Sequence, residues 1–350
     1  MNAREKTGLP QVSRRFSQVA KLAIKKMEDE LANGYGKSVY RSYIQALDNV
    51  LIPYFGKYHI DNITPKIMRE FDVWRKKHYK KAPAASTVTT HNSALNRVFD
   101  AAVQRGWMQQ TAVPTLSNVG HKGDVRPAFS FEEYRQLVKH LRNWDKAAHR
   151  GRSKMMRELL RDYGLMLANT GMRHGTESLN LKWRDLSWWY DKKGVRYLQL
   201  RVDGKTGERT LIARHDCVLY FSRIAKRFDE FKGKTIEQIV EQRVDQYVFR
   251  LSDGTRTNNL HQTFRACLKE HDLLYGSASS KRRSLYSLRH MYATWELWRG
   301  RNIHQLAIQM GTSVGMLEQH YSKLTPLLLA DKFGGYDFET SKKGISSSNE

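Results

Sequence analysis

Four separated segments in the second half of the sequence carry residue types suited to binding and attacking a phosphate. In the first, an apolar run ends at Thr170-Gly171, and Arg173 is predicted to stand at the start of the next helix. There its fixed charge would join the free backbone N–H groups of the helix end, which makes a good anion site. The alternative is a surface arginine that pairs with Glu177.

The second segment is a predicted β-hairpin with Lys205 near its tip. Residues 195–202 are rich in β-branched and aromatic side chains, 203–207 are turn-like, and 210–213 form a short return strand. A lysine at the tip can reach into a neighbouring groove as a mobile charge or as an acid. Most lysines at turns are only solvated, so both interpretations remain open for this segment alone.

The third segment, 284–295, places polar groups at the start of a predicted helix. Ser287 is predicted to cap this helix, with Arg289 in its first turn beside Tyr286 and His290. A fixed charge, an imidazole and hydroxyl groups within a few residues suit a phosphate better than a core. The alternative is an ordinary basic helix end on a basic protein.

The fourth segment ends at Tyr321. A predicted helix stops at Gly311, and a short helix follows in which Val314, Leu317 and Tyr321 share a face. A tyrosine on an apolar face is usually a core residue, so this spacing alone does not indicate catalysis. As a nucleophile, a tyrosine needs its proton removed during attack, because its pKa is about 10.

The elements that must position these residues form two predicted domains. The first is small, basic and all-helical, and one of its helices is predicted to stop at Pro53. The second is mostly helical with a β interruption between 186 and 214, so the fold class is mainly α with a small β-sheet or hairpin in the second domain. The predicted boundaries are an N-terminal extension at 1–15, the helical domain at 16–108, a linker at 109–128, the longer second domain at 129–335 and a polar tail at 336–350.

Composition indicates a polyanionic partner. Sixty Lys and Arg residues against thirty-five Asp and Glu give a net charge of +25, and such an excess is typical of proteins that bind nucleic acid. Cys217 and Cys267 match neither a disulfide framework nor a zinc site. The sequence shows neither a signal peptide nor an apolar stretch of about eighteen residues, so a reducing, cytoplasmic location without a membrane is expected.

In this order, the four segments resemble the tyrosine recombinases, the phage-integrase family of DNA breaking and rejoining enzymes. The likeness covers the whole second domain, and the helical domain is similar in size and place to that family's core-binding domain. The motifs that carry it are Thr170-Gly-x-Arg173, the hairpin Lys205-Thr-Gly, Leu288-Arg289-His290-x-x-Ala293-Thr294, and Gly311-Thr312-Ser313 followed by Tyr321.

The resemblance implies a set of catalytic roles. Arg173 and Arg289 would bind the scissile phosphate, Lys205 would protonate the leaving oxygen, and Tyr321 would attack to give a 3′-phosphotyrosine and a free 5′-hydroxyl. Rigid guanidiniums match the extra negative charge of the five-coordinate phosphorus. The bond energy stays in the covalent link, so no metal, cofactor or ATP is expected.

The resemblance also implies partners. Members of the family act on a specific double-stranded DNA site, as four protomers on two such sites, and pass through a Holliday junction. An accessory DNA-bending or directionality protein could take part. A nucleoid-associated enzyme of a prokaryote, a phage or another mobile element is the expected setting.

Two positions depart from the family pattern. Tyr286 stands where most members have a histidine, and Thr312 stands where they have histidine or tryptophan. Both can donate a hydrogen bond to a phosphate oxygen, but neither is a good base near neutral pH. His290 or His320 could take over part of that role, or the enzyme is slow, or it depends on a partner.

Two other functions remain open. A type IB topoisomerase shares the chemistry and relaxes supercoiled DNA as a monomer, although the small helical first domain favours a recombinase. A DNA-binding regulator with a decayed site is conceivable because of Tyr286 and Thr312. The presence together of four residues argues against decay: Arg173, Lys205, Arg289 and Tyr321.

Overall fold

The chain divides into two compact units, Met1–Asp124 and Val125–Glu350. The division falls inside the segment 109–128 that the sequence designates as a linker. The computed structural model describes residues 12–79, 82–118, 120, 127–147, 151–204, 207–276 and 279–321, with side chains except at 279, 280 and 319–321. Lys205 and the predicted tail at 336–350 therefore lie outside the described residues.

The first unit is built from helices around one apolar core, as predicted. Phe16, Phe55, Phe71 and Phe99 are buried in that core. The helices are α1 (Phe16–Ala32), α2 (Tyr40–Ala46), α3 (Ile52–Phe55), α4 (Pro65–His78) and α5 (Ala85–Gln104), with a π-helical turn at Leu47–Leu51 and 3-10 turns at Ile60–Asn62 and Gln110–Ala112.

The prediction that the helical run stops at Pro53 is wrong. The backbone N–H of Ile52 donates to Leu47 O across the π-helical turn, which shifts the register of the helix. Pro53 then falls in the first turn of α3. A proline, which has no N–H to donate, is accommodated there because the π-helical turn already interrupts the regular i to i−4 hydrogen-bond pattern. The run ends at Gly56 instead.

The second unit is mostly helical and holds a larger core, in which Tyr163, Trp183 and Phe249 are fully buried. Within the described ranges of the whole chain, no helix is long and apolar enough to cross a membrane. The elements are α6 (Phe131–Trp144), α7 (Arg152–Thr170), α8 (Thr176–Leu179), β1 (Leu186–Tyr190), β2 (Arg196–Gly204), β3 (Gly207–Ile212), α9 (Cys217–Ala225), α10 (Ile236–Glu241), α11 (Leu260–Glu270), β4 (Tyr275–Gly276), β5 (Ser279–Arg282), α12 (Leu285–Trp298), α13 (Ile303–Met310) and α14 (Val314–Tyr321).

The predicted β interruption is an antiparallel sheet with the strand order β1-β2-β3. Strands β2 and β3 pair without a break from Gln199 opposite Ile212 to Gly204 opposite Gly207. Because Gly204 and Gly207 face each other, Lys205 and its neighbour connect two paired strands. A second small sheet, β4 with β5, is not predicted from the sequence, since its strands are very short.

Helix α12 begins earlier than the sequence predicts. Ser284 is its N-cap, and Ser287 belongs to the first turn, where its Oγ accepts from the backbone N–H of Ser284 at 3.2 Å. The buried Leu285 extends the apolar face of the helix toward this end. Arg289 consequently lies in the second turn of α12, where only 3% of it is exposed.

Candidate active site

Two helices of the second unit end on a glycine in the left-handed conformation. Helix α7 ends at Gly171, where φ is +68°, and α13 ends at Gly311, where φ is +61°. Glycine adopts this conformation without the steric cost that a Cβ brings. At Gly171 there is also no room, because a Cβ would lie 2.5 Å from Cδ1 of Tyr292. Main-chain carbonyls at both ends carry the partial negative charge of a helix C-terminus.

Arg289 joins these two helix ends. Its Nη1 donates to Gly171 O and its Nη2 donates to Met310 O, the latter at 2.7 Å. Because these acceptors belong to the main chain at the ends of two helices, the plane of the guanidinium is fixed before any ligand arrives. The prediction of an ordinary basic helix end does not fit a side chain that is this deeply buried.

Arg173 lies beside the same turn and is held by a buried carboxylate. Its Nη1 donates to Glu177 Oε2 at 3.0 Å, its backbone N–H donates to Glu177 Oε1 at 3.1 Å, and its Nη2 donates to Gly311 O. Glu177 is 3% exposed, so this is a buried ion pair rather than the surface pair considered above. Arg173 precedes the four-residue helix α8 instead of starting it, so its anchors are Glu177 and Gly311.

Arg209 on β3 is a third arginine of this cluster, and the sequence analysis missed it. Its Nη2 donates to Glu177 Oε1 and to Met310 O, the latter at 3.1 Å. Burial lowers the pKa of Arg209 to about 10; Glu177 opposes this shift, while the other two arginines add to it. The group is therefore charged at neutral pH. A signal existed, because Arg209 lies two residues before the buried Leu211 and so shares its face of the strand.

The end of the hairpin lies against this cluster. A Cβ on Gly204, the residue before Lys205, would be 2.8 Å from Glu177 Oε2 and 3.6 Å from Arg173 Nη1. Glycine at this position lets the strand approach the ion pair closely. Lys205 itself lies outside the described residues, and its predicted role stays a prediction.

Tyr321 is the last residue of α14, a helix that begins three residues after Gly311. Leu317 anchors this helix: it is 1% exposed and packs in a small cluster with Met310 and Tyr292. The turn that accepts hydrogen bonds from the arginines is thus the turn that leads into the helix of Tyr321. The side chain of Tyr321 lies outside the described residues.

Tyr286 and Thr312, the two residues that differ from the family pattern, lie close in the chain to residues of the arginine cluster. Tyr286 is 39% exposed, and its ring packs edge-on against His290 with 4.9 Å between the centroids. His290 follows Arg289 on α12 and is 6% exposed. Thr312 follows Gly311 directly, and its backbone N–H donates to Ala307 O at 3.0 Å.

His174, the neighbour of Arg173, adds no charge to this cluster at neutral pH. Its Nδ1 lies 2.7 Å from Tyr163 Oη, and that hydroxyl lies 2.6 Å from Ser178 Oγ. Burial, followed by repulsion from His261, lowers the pKa of His174 to about 4. The imidazole is therefore neutral, and the charge facing a ligand comes from the guanidiniums.

Comparison with known proteins places this geometry in a described fold. Residues 15–122 match the family model of the phage integrase SAM-like domain. No curated protein sequence matches the chain. Among solved structures, the Tn1549 transposon integrase in complex with a circular intermediate DNA is 15% identical, with a TM-score of 0.60 over 94% of this chain and 98% of that chain.

Two further solved structures have a similar fold. The XerH site-specific recombinase bound to a palindromic difH substrate, in a post-cleavage complex, is 14% identical, with a TM-score of 0.63 over 93% of this chain and 98% of that chain. A lambda integrase dimer bound to a COC′ core site is 16% identical, with a TM-score of 0.59 over 89% of this chain and 95% of that chain.

The chain therefore has the tyrosine recombinase fold, in which a helical core-binding domain precedes a catalytic domain. The fold class predicted from the sequence is confirmed. The Tn1549 integrase and XerH are two particular enzymes with which the chain shares this fold over nearly their whole length as solved.

Proposed function

We propose that the chain is a site-specific DNA recombinase or integrase that cuts and rejoins DNA through a 3′-phosphotyrosine intermediate. One observation carries the proposal: Arg173 and Arg289, far apart in sequence, both bind main-chain carbonyls of the turn Met310–Gly311. That turn leads into the helix of Tyr321. Two fixed cations beside the start of a tyrosine-bearing helix suit attack on a phosphodiester.

The roles of the side chains follow from charge and bond making. Arg173 and Arg289 bind the non-bridging oxygens of the scissile phosphate. The Oη of Tyr321 forms a bond to phosphorus as the bond to the 5′-oxygen breaks, and Lys205 gives a proton to that oxygen. The 5′-hydroxyl of a second strand then reverses the step, which releases Tyr321 and leaves a joined strand.

The proton of Tyr321 needs an acceptor. Tyr286 and Thr312, the two residues that differ from the family pattern, affect this step because neither is a good base near neutral pH. Tyr286 and Thr312 each supply a hydroxyl that can donate to a phosphate oxygen, which strengthens binding without removing a proton. His290 lies against Tyr286 and is one imidazole near the site; His320 is another in sequence. We assign Tyr286 and Thr312 to binding the phosphate, and we expect a modest cleavage rate.

The proposed partner is double-stranded DNA that carries a specific site. The net charge of +25 supports a phosphate partner, and the Tn1549 integrase, XerH and lambda integrase structures are complexes with DNA. Both units of the chain would then contact the duplex. Four protomers on two sites, with an accessory DNA-bending or directionality protein, complete the proposed assembly.

The test is capture of the covalent intermediate. The protein is incubated with fragments of the genome that encodes it, and the mixture is boiled in detergent so that only covalently linked DNA remains on the protein. A duplex with the recovered sequence is then nicked next to the cleavage point. Cleavage frees a short piece that diffuses away, so the adduct accumulates.

Matched variants decide between the functions. Tyr321→Phe should form no adduct, whereas Tyr190→Phe, which alters an exposed tyrosine of β1, should form as much as the natural chain. Adduct on every sequence together with plasmid relaxation would indicate a topoisomerase instead. Sequence-specific binding without any adduct would indicate a regulator and would overturn the proposal.

A further inference from the structure

We infer that Arg209 is a positioning residue of the cleavage site, whose charge favours the transition state over the bound substrate. The inference rests on the proposed function and adds a residue to it. It starts from the geometry of one carboxylate. Glu177 Oε1 accepts from Arg209, and Glu177 Oε2 accepts from Arg173, so a single acidic group holds two guanidiniums.

Arg209 also contacts the turn that precedes the helix of Tyr321. Its Nη2 donates to Met310 O, the carbonyl that Arg289 also contacts. Its Nε lies so close to Gly311 that a Cβ on that residue would overlap it. The Arg209 side chain therefore extends from strand β3 to the Gly311 turn. It connects the hairpin that carries Lys205 with the turn that precedes the helix of Tyr321.

A purely structural ion pair explains this residue poorly. Glu177 already has Arg173 as a counterion, so it does not need a second one for neutrality. Within the described part of the chain, Nε and Nη1 of Arg209 are buried without a hydrogen-bond partner. Buried unpaired donors reduce stability, and an apolar side chain would fill the space without that cost.

The charge of the cluster shows what it supplies. Three guanidiniums and one carboxylate give a net charge of +2. Lys205 is not counted in this sum, because in the proposed reaction its proton goes to the leaving 5′-oxygen. A phosphodiester carries one negative charge, and the five-coordinate phosphorus of the transition state carries two. Without Arg209 the net charge is +1, which balances the substrate but not the transition state. Removing Arg209 should therefore slow cleavage more than it weakens DNA binding.

The experiment compares two substrates in the same variant. One is the nicked duplex recovered by adduct capture, and the other has a methylphosphonate at the scissile position, which replaces one charged oxygen by a methyl group. On the ordinary phosphate, Arg209→Met should lower the single-turnover cleavage rate by about 10- to 100-fold, with DNA affinity within about twofold. On the methylphosphonate the same variant should lie within about threefold of the natural chain, because that transition state carries a single negative charge, which the remaining charge of +1 still matches.

Two further variants make the result specific. Arg209→Lys keeps the charge without the guanidinium fork, and it should recover most of the rate lost in Arg209→Met. Arg201→Met removes an equal charge from an exposed side chain on β2. Arg201 pairs in the sheet with Thr210, the residue after Arg209. This variant should leave both cleavage rates unchanged.

The outcomes separate this inference from the proposed function. The ratio of the two rates is measured within one protein sample, so a loss of folded protein cancels from it. If Arg209→Met slows both substrates equally, or slows neither, Arg209 has no electrostatic role and the inference fails. If the natural chain forms no adduct at all, the proposed function fails first.

Discussion

Replacing Gly311 with alanine should destabilise the second unit through two separable effects. The first is backbone strain, because φ at this position is +61° and a Cβ makes that conformation unfavourable by about 1 kcal/mol. The second is a steric conflict, because the new Cβ would overlap Nε of Arg209 and lie 2.5 Å from its Cδ. Arg209 must move, and overpacking of this kind costs about 1–3 kcal/mol. We expect a total loss of about 2–4 kcal/mol.

Gly233→Ala is the matched control for this prediction. Gly233 also has a positive φ, of +76°, but a Cβ there would meet nothing within 4 Å. It should therefore show the backbone strain alone, about 1 kcal/mol. The free energy of unfolding is measured in urea by tryptophan fluorescence, which reports mainly on the second unit because six of the eight tryptophans lie there.

A double variant isolates the steric effect. Removing the Arg209 side chain together with the Gly311 change, as Arg209→Ala with Gly311→Ala, should be less destabilising than the sum of the two single changes by about 1–2 kcal/mol. Equal losses for Gly311→Ala and Gly233→Ala, or strictly additive effects in the double variant, would refute the packing of Arg209 against this turn.

Two further predictions concern buried side chains that can gain or lose a proton. Glu177→Gln leaves the guanidiniums without their counterion and should lower the free energy of unfolding by about 3–5 kcal/mol, while the exposed Glu241→Gln should change it by less than about 0.5 kcal/mol in the same urea titration. His174 has a folded-state pKa of about 4, below the usual 6.5, so the unfolded state gains its proton first and stability should fall as the pH drops from about 6.5 to 4. His174→Asn should remove about 1–2 kcal/mol of that fall after allowance for screening, measured as the free energy of unfolding across this pH range in the variant and in the natural chain.

The local elements could largely be predicted from the sequence, because periodicity and glycine turns are local signals. The hairpin, the helix ending at Gly311 and the short helix after it were all predicted from such signals. Errors arose where two local signals competed. Ser284 and Ser287 are both good cap residues, and only the burial of Leu285 selects the earlier one. Pro53 is accommodated because a π-helical turn, which has no clear sequence signal, precedes it.

The arrangement of the site could not be predicted from spacing alone. Arg173 and Arg289 are brought together by the packing of α12 against α7, which is a tertiary contact. Arg209 escaped notice because its strand is short, and a period of two over six residues is easily mistaken for an exposed edge. The catalytic roles of Lys205 and Tyr321 stay predictions, since they rest on the order of the motifs.

The anchors of the arginines have a consequence for how freely this site can be altered. Gly171, Met310 and Gly311 contribute oxygens of the peptide backbone, and a substitution cannot delete a backbone oxygen. Surrounding side chains other than Glu177, which holds Arg173 and Arg209, can therefore be exchanged while the guanidiniums keep their places, provided that the two glycine turns persist. For the proposed recombinase, variants aimed at a new DNA sequence can therefore be randomised at the nearby surface while only a few positions are held constant.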